Sequence, residues 1–195
     1  MLKQVEVDAR FIAEQLRLLR LSTDKKITEI AEASGFSVSY ISQIENGKRE
    51  LNYKALRRIL LNGFSETLSS FFAKIFDQST DDNSSRVYET PFKLYNEDRT
   101  VGVEILIPTN SAREIEVVKL YLNPNSSFDD EFKIDFKLYG HVQSGEILIE
   151  HSYGDMLISQ GKGFVLSFFS EQNLKIRNQS EHTSEVFLIF TPPVF

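Results

Sequence analysis

Between residues 8 and 21 apolar side chains recur at Phe11, Ile12, Leu16 and Leu19. This i, i+4 stripe predicts an amphipathic helix. A second, shorter helix is predicted over 28–34 through Ile30, Ala31 and Ala33, stopped by Gly35. Ser37 is placed to cap a third over 38–45, which Asn46-Gly47 ends. Asn52 can cap a fourth over 53–61, with Leu56, Ile59 and Leu60 inward. A fifth spans 65–76, with Leu68, Phe71, Phe72 and Phe76 on its apolar side.

After residue 77 the period changes. The stretch 77–85, DQSTDDNSS, is polar and acidic and reads as a linker. From Arg86 onward short β-rich runs recur, at 101–107, 116–122, 132–139, 146–150, 156–158, 164–168, 174–176 and 186–190. Turn signals such as Asn123-Pro124-Asn125, Ser144-Gly145 and Gly161-Lys162-Gly163 separate many of them. Many short strands with regular turns indicate a sandwich or barrel. The expected organisation is a helical domain over 1–76, a linker over 77–85 and an all-β domain over 86–195.

Charge follows the same division. The formal total over 195 residues is −6, which taken alone argues against a nucleic-acid partner. Residues 1–76 hold 12 Lys/Arg against 9 Asp/Glu, a balance of +3. Residues 77–195 hold 10 against 19, a balance of −9. The acidity therefore belongs to the sheet half. With no cysteine, disulfides and thiolate chemistry are excluded. No apolar run approaches the roughly 20 residues of a membrane span, and charges interrupt the first ten residues where an export signal would be apolar. The expectation is a cytoplasmic protein.

Two short helices joined by a glycine-containing turn have the shape of the DNA-binding helix-turn-helix. The stretch Ile30-Ala31-Glu32-Ala33-Ser34-Gly35-Phe36-Ser37-Val38-Ser39-Tyr40-Ile41-Ser42-Gln43-Ile44-Glu45-Asn46-Gly47-Lys48-Arg49 resembles the Cro/phage-repressor or XRE family. Its wording there is L-A-x-x-x-G-x-S-x-x-x-[LI]-S-x-[IL]-E-x-G-K-R, and the spacing is intact over about 20 residues. Leu16-Arg17-x-x-Arg20 fits the first helix of the family. Ala31 is small where two helices cross, Gly35 permits a positive φ, and Ile30, Ile41 and Ile44 form a small core. The resemblance implies that Glu45 pairs with Arg17 or Arg20. It also implies a third helix in the major groove of double-stranded DNA, with Val38, Ser39 and Gln43 at base edges. Gln can bond adenine bidentately, and Val can meet a thymine methyl. Ser37, Tyr40, Ser42, Asn46, Lys48 and Arg49 would face phosphates, which set affinity and register. Arg57 and Arg58 read as a solvated face. Three departures from the pattern stand out: Lys26 where a capping hydroxyl is usual, Leu51 where Pro is usual, and Asp24 at a common Gly position.

The second half resembles the cupin double-stranded β-helix. Val142-Gln143-Ser144-Gly145-Glu146 is similar to its V-L-x-G-E turn, and Lys162-Gly163-Phe164-Val165 sits where G-D-x-x is usual. Asn173 to Asn178 resembles P-H-x-x-x-N, and Phe187 to Pro193 the closing strand of regulators that fuse this fold to an XRE domain. Metal-binding cupins place H-x-H, Glu and a later His as ligands. Those positions here hold Phe132, Ile134, Leu138 and Leu174. Strand alternation puts Phe132, Ile134, Phe136 and Leu138 on one face. No metal or other cofactor is expected, and His141, His151 and His182 are scattered at turns or strand ends. A barrel lined by Phe132, Ile134, Phe136, Leu138 and Leu174 either holds a small apolar or aromatic effector or is packed shut as a dimerisation platform.

Together these features lead to a sequence-specific DNA-binding transcription regulator, resembling the Cro/phage-repressor class, a homodimer on a palindromic operator, with no enzymatic activity. Two other classes remain: an antitoxin-like interaction protein that binds DNA, and a cupin enzyme with an accessory DNA-binding domain.

Overall fold

A computed structural model describes residues 9–76, 92–107, 114–132, 134–169 and 172–195. The expected linker over 77–85, the start of the sheet domain at Arg86 and the side chain of Phe76 lie outside the described residues. The chain divides into two compact units, separated between Asp81 and Asp82, with Phe195 grouped with the first.

The first unit opens with α1 (Ala9–Ser22), α2 (Ile27–Ser34) and α3 (Val38–Glu45). All three fall within one or two residues of the expected spans. Ile12, Ala13 and Leu16 of α1, Ile30 and Ala31 of α2, and Ile41 and Ile44 of α3 are all buried, none more than 4% exposed. At full burial each of the isoleucine and leucine side chains supplies roughly 1.5–3 kcal/mol of transfer free energy. Both helices of the motif end in the same way. Gly35 takes φ 67°, its N–H donates to Glu32 O, and Phe36 N–H donates to Ala31 O at 3.0 Å. Gly47 takes φ 63°, its N–H donates to Ile44 O, and Lys48 N–H donates to Gln43 O at 2.9 Å. Each pair is a Schellman closure, which satisfies two carbonyls that the helix leaves open.

The fourth helix is shorter than its pattern implies. α4 (Tyr53–Arg58) is capped by Asn52, whose Oδ1 accepts Ala55 N–H at 2.8 Å. The chain then widens into a π-helical turn, Ile59–Phe64. The sequence expected one α-helix through Leu61. Gly63 lies close against α2, where a β-carbon would come 3.2 Å from Ile30 Cγ2. The turn thus presses its backbone onto α2. Gly63 O, one of the carbonyls left open where the turn ends, accepts Lys25 Nζ at 2.5 Å. α5 (Leu68–Phe76) follows, three residues later than expected, with Leu68, Phe71 and Phe72 buried.

The second unit has ten strands among the described residues, in two antiparallel sheets, which is the cupin-like double-sheet arrangement the sequence predicts. One sheet orders β1 (Phe92–Tyr95), β2 (Val101–Ile107), β3 (Glu116–Leu122), β10 (Ser184–Thr191), β5 (Phe136–Ser144) and β8 (Gly163–Phe168). The other orders β4 (Ser127–Glu131), β9 (Asn173–Asn178), β6 (Glu146–Glu150) and β7 (Met156–Ser159). Burial alternates strictly along β3, β6 and β8, so each sheet offers one face to a shared core. Asn178 is buried at the end of β9. Its amide donates to Leu122 O and His182 O, and its Oδ1 accepts from Ser180 and Ser184. That network ties three strand ends together.

One strand is misread from the pattern. The run 132–139 is not continuous, because β4 ends at Glu131 and β5 begins at Phe136. Alternation therefore breaks between Phe132 and Phe136. Phe132 and Phe136 are buried, whereas Ile134 is 44% exposed. Ile134 accordingly does not line the interior, which corrects its assignment as a ligand-position and pocket residue.

Candidate nucleic-acid interface

The helix-turn-helix is held by three hydrogen bonds from one arginine. Arg20 Nε donates to Glu45 Oε1 at 2.7 Å, and Nη2 to Oε2 at 2.9 Å. Arg20 Nη1 also donates to Lys25 O, at the loop between α1 and α2. The end of α3 is thus clamped to the end of α1 by a fork that matches a carboxylate. Glu45 is 7% exposed, so the clamp is largely shielded from water. Of the two expected partners, Arg20 takes the role and Arg17 points to solvent. The hydrogen bond to Glu45 holds the Arg20 guanidinium proton above its ordinary range.

Against this clamp α3 buries Ile41, Ile44 and Glu45 and exposes the opposite face. Val38, Ser39 and Gln43 are all exposed, Val38 by 45%. The spacing i, i+1, i+5 brings them onto one side of a single 1.5-turn stretch. Gln43 Nε2 lies 3.4 Å from Ser39 Oγ, a loose contact that leaves the amide available. The start of α3 is fixed by Ser37, whose Oγ accepts Tyr40 N–H at 3.1 Å. Such a cap contributes about 1 kcal/mol.

The six residues expected to face phosphates occupy different states. Ser37, Asn46, Lys48 and Arg49 are exposed, and Tyr40 and Ser42 are half-buried. Asn46 already spends an amide hydrogen on Ser42 O at 2.7 Å. Tyr40 is engaged on its face. Its ring stacks on Phe36, with centroids 4.5 Å apart and planes 12° from parallel. The Arg49 guanidinium lies 4.5 Å over the Tyr40 ring, and the Arg58 guanidinium 4.8 Å over Phe36. Two rings and two cations therefore form one continuous set beside α3. Arg58 is exposed, as its place on a solvated face predicts, and it rests on the Phe36 ring as well. The available signal was the i, i+4 spacing of Phe36 and Tyr40, read with two arginines of unknown position. Each guanidinium over a ring gains roughly 0.5–1 kcal/mol at an exposed site, enough to restrict a side chain that would otherwise sample many rotamers.

Within the sheet unit the expected lining residues Phe132, Phe136, Leu138 and Leu174 are at most 3% exposed. Phe132 meets Phe136 edge-on at 5.2 Å, and Phe136 stacks on Phe168 at 4.9 Å. Phe190 approaches both Phe132 and Phe136, at 6.0 and 5.6 Å. Four rings at these separations are in contact packing. His141 and His182 are exposed, and His151 packs edge-on against Phe168 at 5.1 Å. Among the described residues no group of three His, Asp or Glu is arranged to hold a metal ion.

Comparison with known proteins agrees with the local geometry. Residues 12–60 match the family model of a helix-turn-helix domain. No curated protein matches the sequence. Among solved structures, an HTH_3 family transcriptional regulator from Vibrio cholerae superposes with a TM-score of 0.67 at 20% identity, covering 95% of this chain and 97% of that one. The Cupin_2 domain of an XRE family transcriptional regulator from Enterobacter cloacae gives 0.43 at 16% identity, over 48% of this chain and 98% of that one. Hydroxypropylphosphonic acid epoxidase from S. wedmorenis gives 0.44 at 14% identity, over 95% and 99%. The chain thus shares its fold, over nearly its whole length, with the Vibrio cholerae protein, and its residues 12–60 match a helix-turn-helix domain.

Proposed function

We propose that the chain is a sequence-specific DNA-binding transcription regulator, acting in the cytoplasm as a homodimer on a palindromic operator. The observation that carries this reading is the outward face of α3. Val38, Ser39 and Gln43 are exposed together on a helix whose two ends are fixed by the Ser37 cap and the Arg20–Glu45 clamp. A base-reading helix needs such rigidity, because a hydrogen bond to a base edge tolerates little misplacement. Ser37, Tyr40, Ser42, Lys48 and Arg49 surround it and supply donors for phosphates, with Asn46 contributing through its remaining amide hydrogen. Two copies would set their helices in successive major grooves, about 34–36 Å apart.

The sheet unit is proposed to regulate or dimerise rather than catalyse. The positions that hold metal ligands in metal-binding cupins carry Phe132, Leu138 and Leu174, all three buried, and Phe132 packs against the rings of Phe136 and Phe190. This packing favours a shut barrel over an internal effector pocket. Among the described residues no helix is long and apolar enough to cross a membrane. The −9 balance of the sheet half would be repelled by DNA and leave the +3 half to bind.

Selection of bound duplexes from a random pool by the full chain tests this reading. The expected result is an inverted repeat with half-sites one helical turn apart. Gln43→Ala should then relax preference at one base position per half-site while other positions hold. Recovery of unselected sequence, or identical motifs from the wild type and Gln43→Ala, would overturn the assignment of α3.

A further inference from the structure

The outer face of the first sheet carries a polar and aromatic layer that the DNA-binding reading does not use. In register across β1, β2 and β3 lie Tyr95, Gly102 and Tyr121. One rung away lie Lys93, Glu104 and Lys119. Side chains on these rungs share a face, because strand partners point the same way. Gly102 leaves a gap between the two tyrosines. A β-carbon there would come within 2.8 Å of Lys93 Cε and 3.3 Å of the Tyr95 ring. The gap opens into a cleft of about 410 Å³, whose rim adds Arg99, Asn123 and Thr183.

The charges in this layer are distributed unevenly. Glu104 accepts the Tyr121 hydroxyl, and Lys119 pairs with Glu185 at 2.7 Å. Lys93 differs from both. Its ammonium lies 3.2 Å from the centroid of Tyr121 and 5.4 Å from that of Tyr95, and it has no carboxylate partner among the described residues. The Arg99 guanidinium lies 4.6 Å over the other wall, Tyr95. None of the residues lining the cleft is acidic. Aromatic rings position a cation without neutralising it, so the positive charge remains available to a ligand. An oxyanion placed here would gain charge-assisted hydrogen bonds from Lys93 and neutral donors from Asn123 and Thr183, with the Arg99 guanidinium adding a second positive charge at the rim.

We infer that this cleft binds a small molecule bearing an oxyanion, a phosphate or a carboxylate, with Lys93 as its charged contact and the Tyr95–Gly102–Tyr121 rung as its floor. The site lies outside the shared core of the sheets, so it stands whether or not the barrel interior is packed shut.

Calorimetric titration of the full chain at low salt with glycerol phosphate, glycerate and uncharged glycerol tests this. At least one of the two anions should bind while glycerol does not, and the anion that binds identifies the ligand chemistry. Lys93→Gln should weaken that binding by about tenfold or more. Gly102→Ala should weaken it with every charge retained, because the added methyl displaces Lys93. Lys119→Gln, whose ammonium is already paired, should change it by less than about twofold. Thermal unfolding checks that each variant is folded. Absence of binding by either anion to folded wild-type protein, equal binding of glycerol, or unchanged affinity in folded Lys93→Gln would overturn the inference. No DNA enters the experiment, so its failure leaves the DNA-binding reading untouched.

Discussion

Arg20 and Glu45 hold each other through two parallel bonds across 25 sequence positions, with the carboxylate side chain only 3% exposed and the guanidinium 12%. Removing one partner strands the other charge away from water, which costs about 3–5 kcal/mol. Glu45→Ala should therefore lower the unfolding free energy by roughly 3 kcal/mol. Arg20→Lys should recover only part of the loss, since an ammonium cannot form the fork. Chemical denaturation of the three proteins, with equal slopes, checks this; a change below about 1 kcal/mol for Glu45→Ala would show the pair to be a surface contact in energetic terms.

Asp24 adopts a left-handed conformation with φ 52° at the turn between α1 and α2. Its place in the helix-turn-helix pattern is one where glycine is common, and the backbone geometry supplies the reason. A non-glycine residue there costs on the order of 1 kcal/mol, less for Asp than for most. Asp24→Gly should raise stability by about 0.5 kcal/mol after the greater freedom of glycine in the unfolded chain is deducted. A small upward shift in melting temperature is expected, and a clear downward one would show that Asp24 makes a contact worth more than its strain.

Much of the helical unit was legible because its constraints are local. Caps at Ser37 and Asn52, stops at Gly35 and Gly47, and the 3.6-residue stripe all act within a few positions. The π-helical turn was not legible, because nothing in its apolar stripe separates it from an α-helix, and its approach to Ile30 through Gly63 joins distant parts of the chain. The same distinction governs the sheets. Strands with strict alternation, such as β3 and β6, were recognisable, whereas β4 has a single inward apolar residue, Phe128, among Ser127, Asp129, Asp130 and Glu131. The error at Ile134 arose because alternation was carried across a break that only the pairing of β4 with β9 and β5 with β8 reveals. Within the candidate interface, single residues of α3 followed from the pattern. The Phe36–Tyr40 stack and its two arginines bring together separate helices and required coordinates.

Phe136 sits at the centre of the aromatic cluster, in contact with Phe132, Phe168 and Phe190. Phe136→Ala should destabilise the sheet unit by about 3–5 kcal/mol, combining lost transfer energy with an unfilled cavity. If the interior is close-packed, the variant should also gain the ability to bind a small apolar molecule such as benzene, seen as a ligand-dependent rise in melting temperature. A loss below about 1 kcal/mol would mean that the wild-type interior already holds empty space.

Tyr121 provides a pH signature. Burial raises its pKa above the ordinary 10.0, and the hydrogen bond to Glu104 raises it further. A group whose folded pKa is raised stabilises the fold fully below its unfolded pKa, and that contribution is lost as pH climbs through the folded value. The stability advantage of wild type over Tyr121→Phe should thus be constant below about pH 10 and shrink above it. Denaturation curves at neutral and alkaline pH measure this. Glu104→Gln should make the tyrosinate absorbance of Tyr121 appear at lower pH, though not at the ordinary value, because the larger cause, burial, remains.

Arg49 reaches its place over the Tyr40 ring, 4.5 Å from the centroid, and Tyr40 in turn rests on Phe36. A phosphate-binding cation held by a ring loses less rotamer freedom on binding than a free one. Arg49→Ala should weaken binding to all duplexes alike and reduce the salt slope by about 1, the mark of one lost phosphate contact. Tyr40→Leu keeps Arg49 but removes its platform, so affinity should fall severalfold with the salt slope unchanged, since the charge can still reach a phosphate. The double variant should cost less than the sum of the two, because Tyr40 acts partly through Arg49. Strict additivity across duplex-binding measurements at several salt concentrations would show that Tyr40 and Arg49 contact DNA independently.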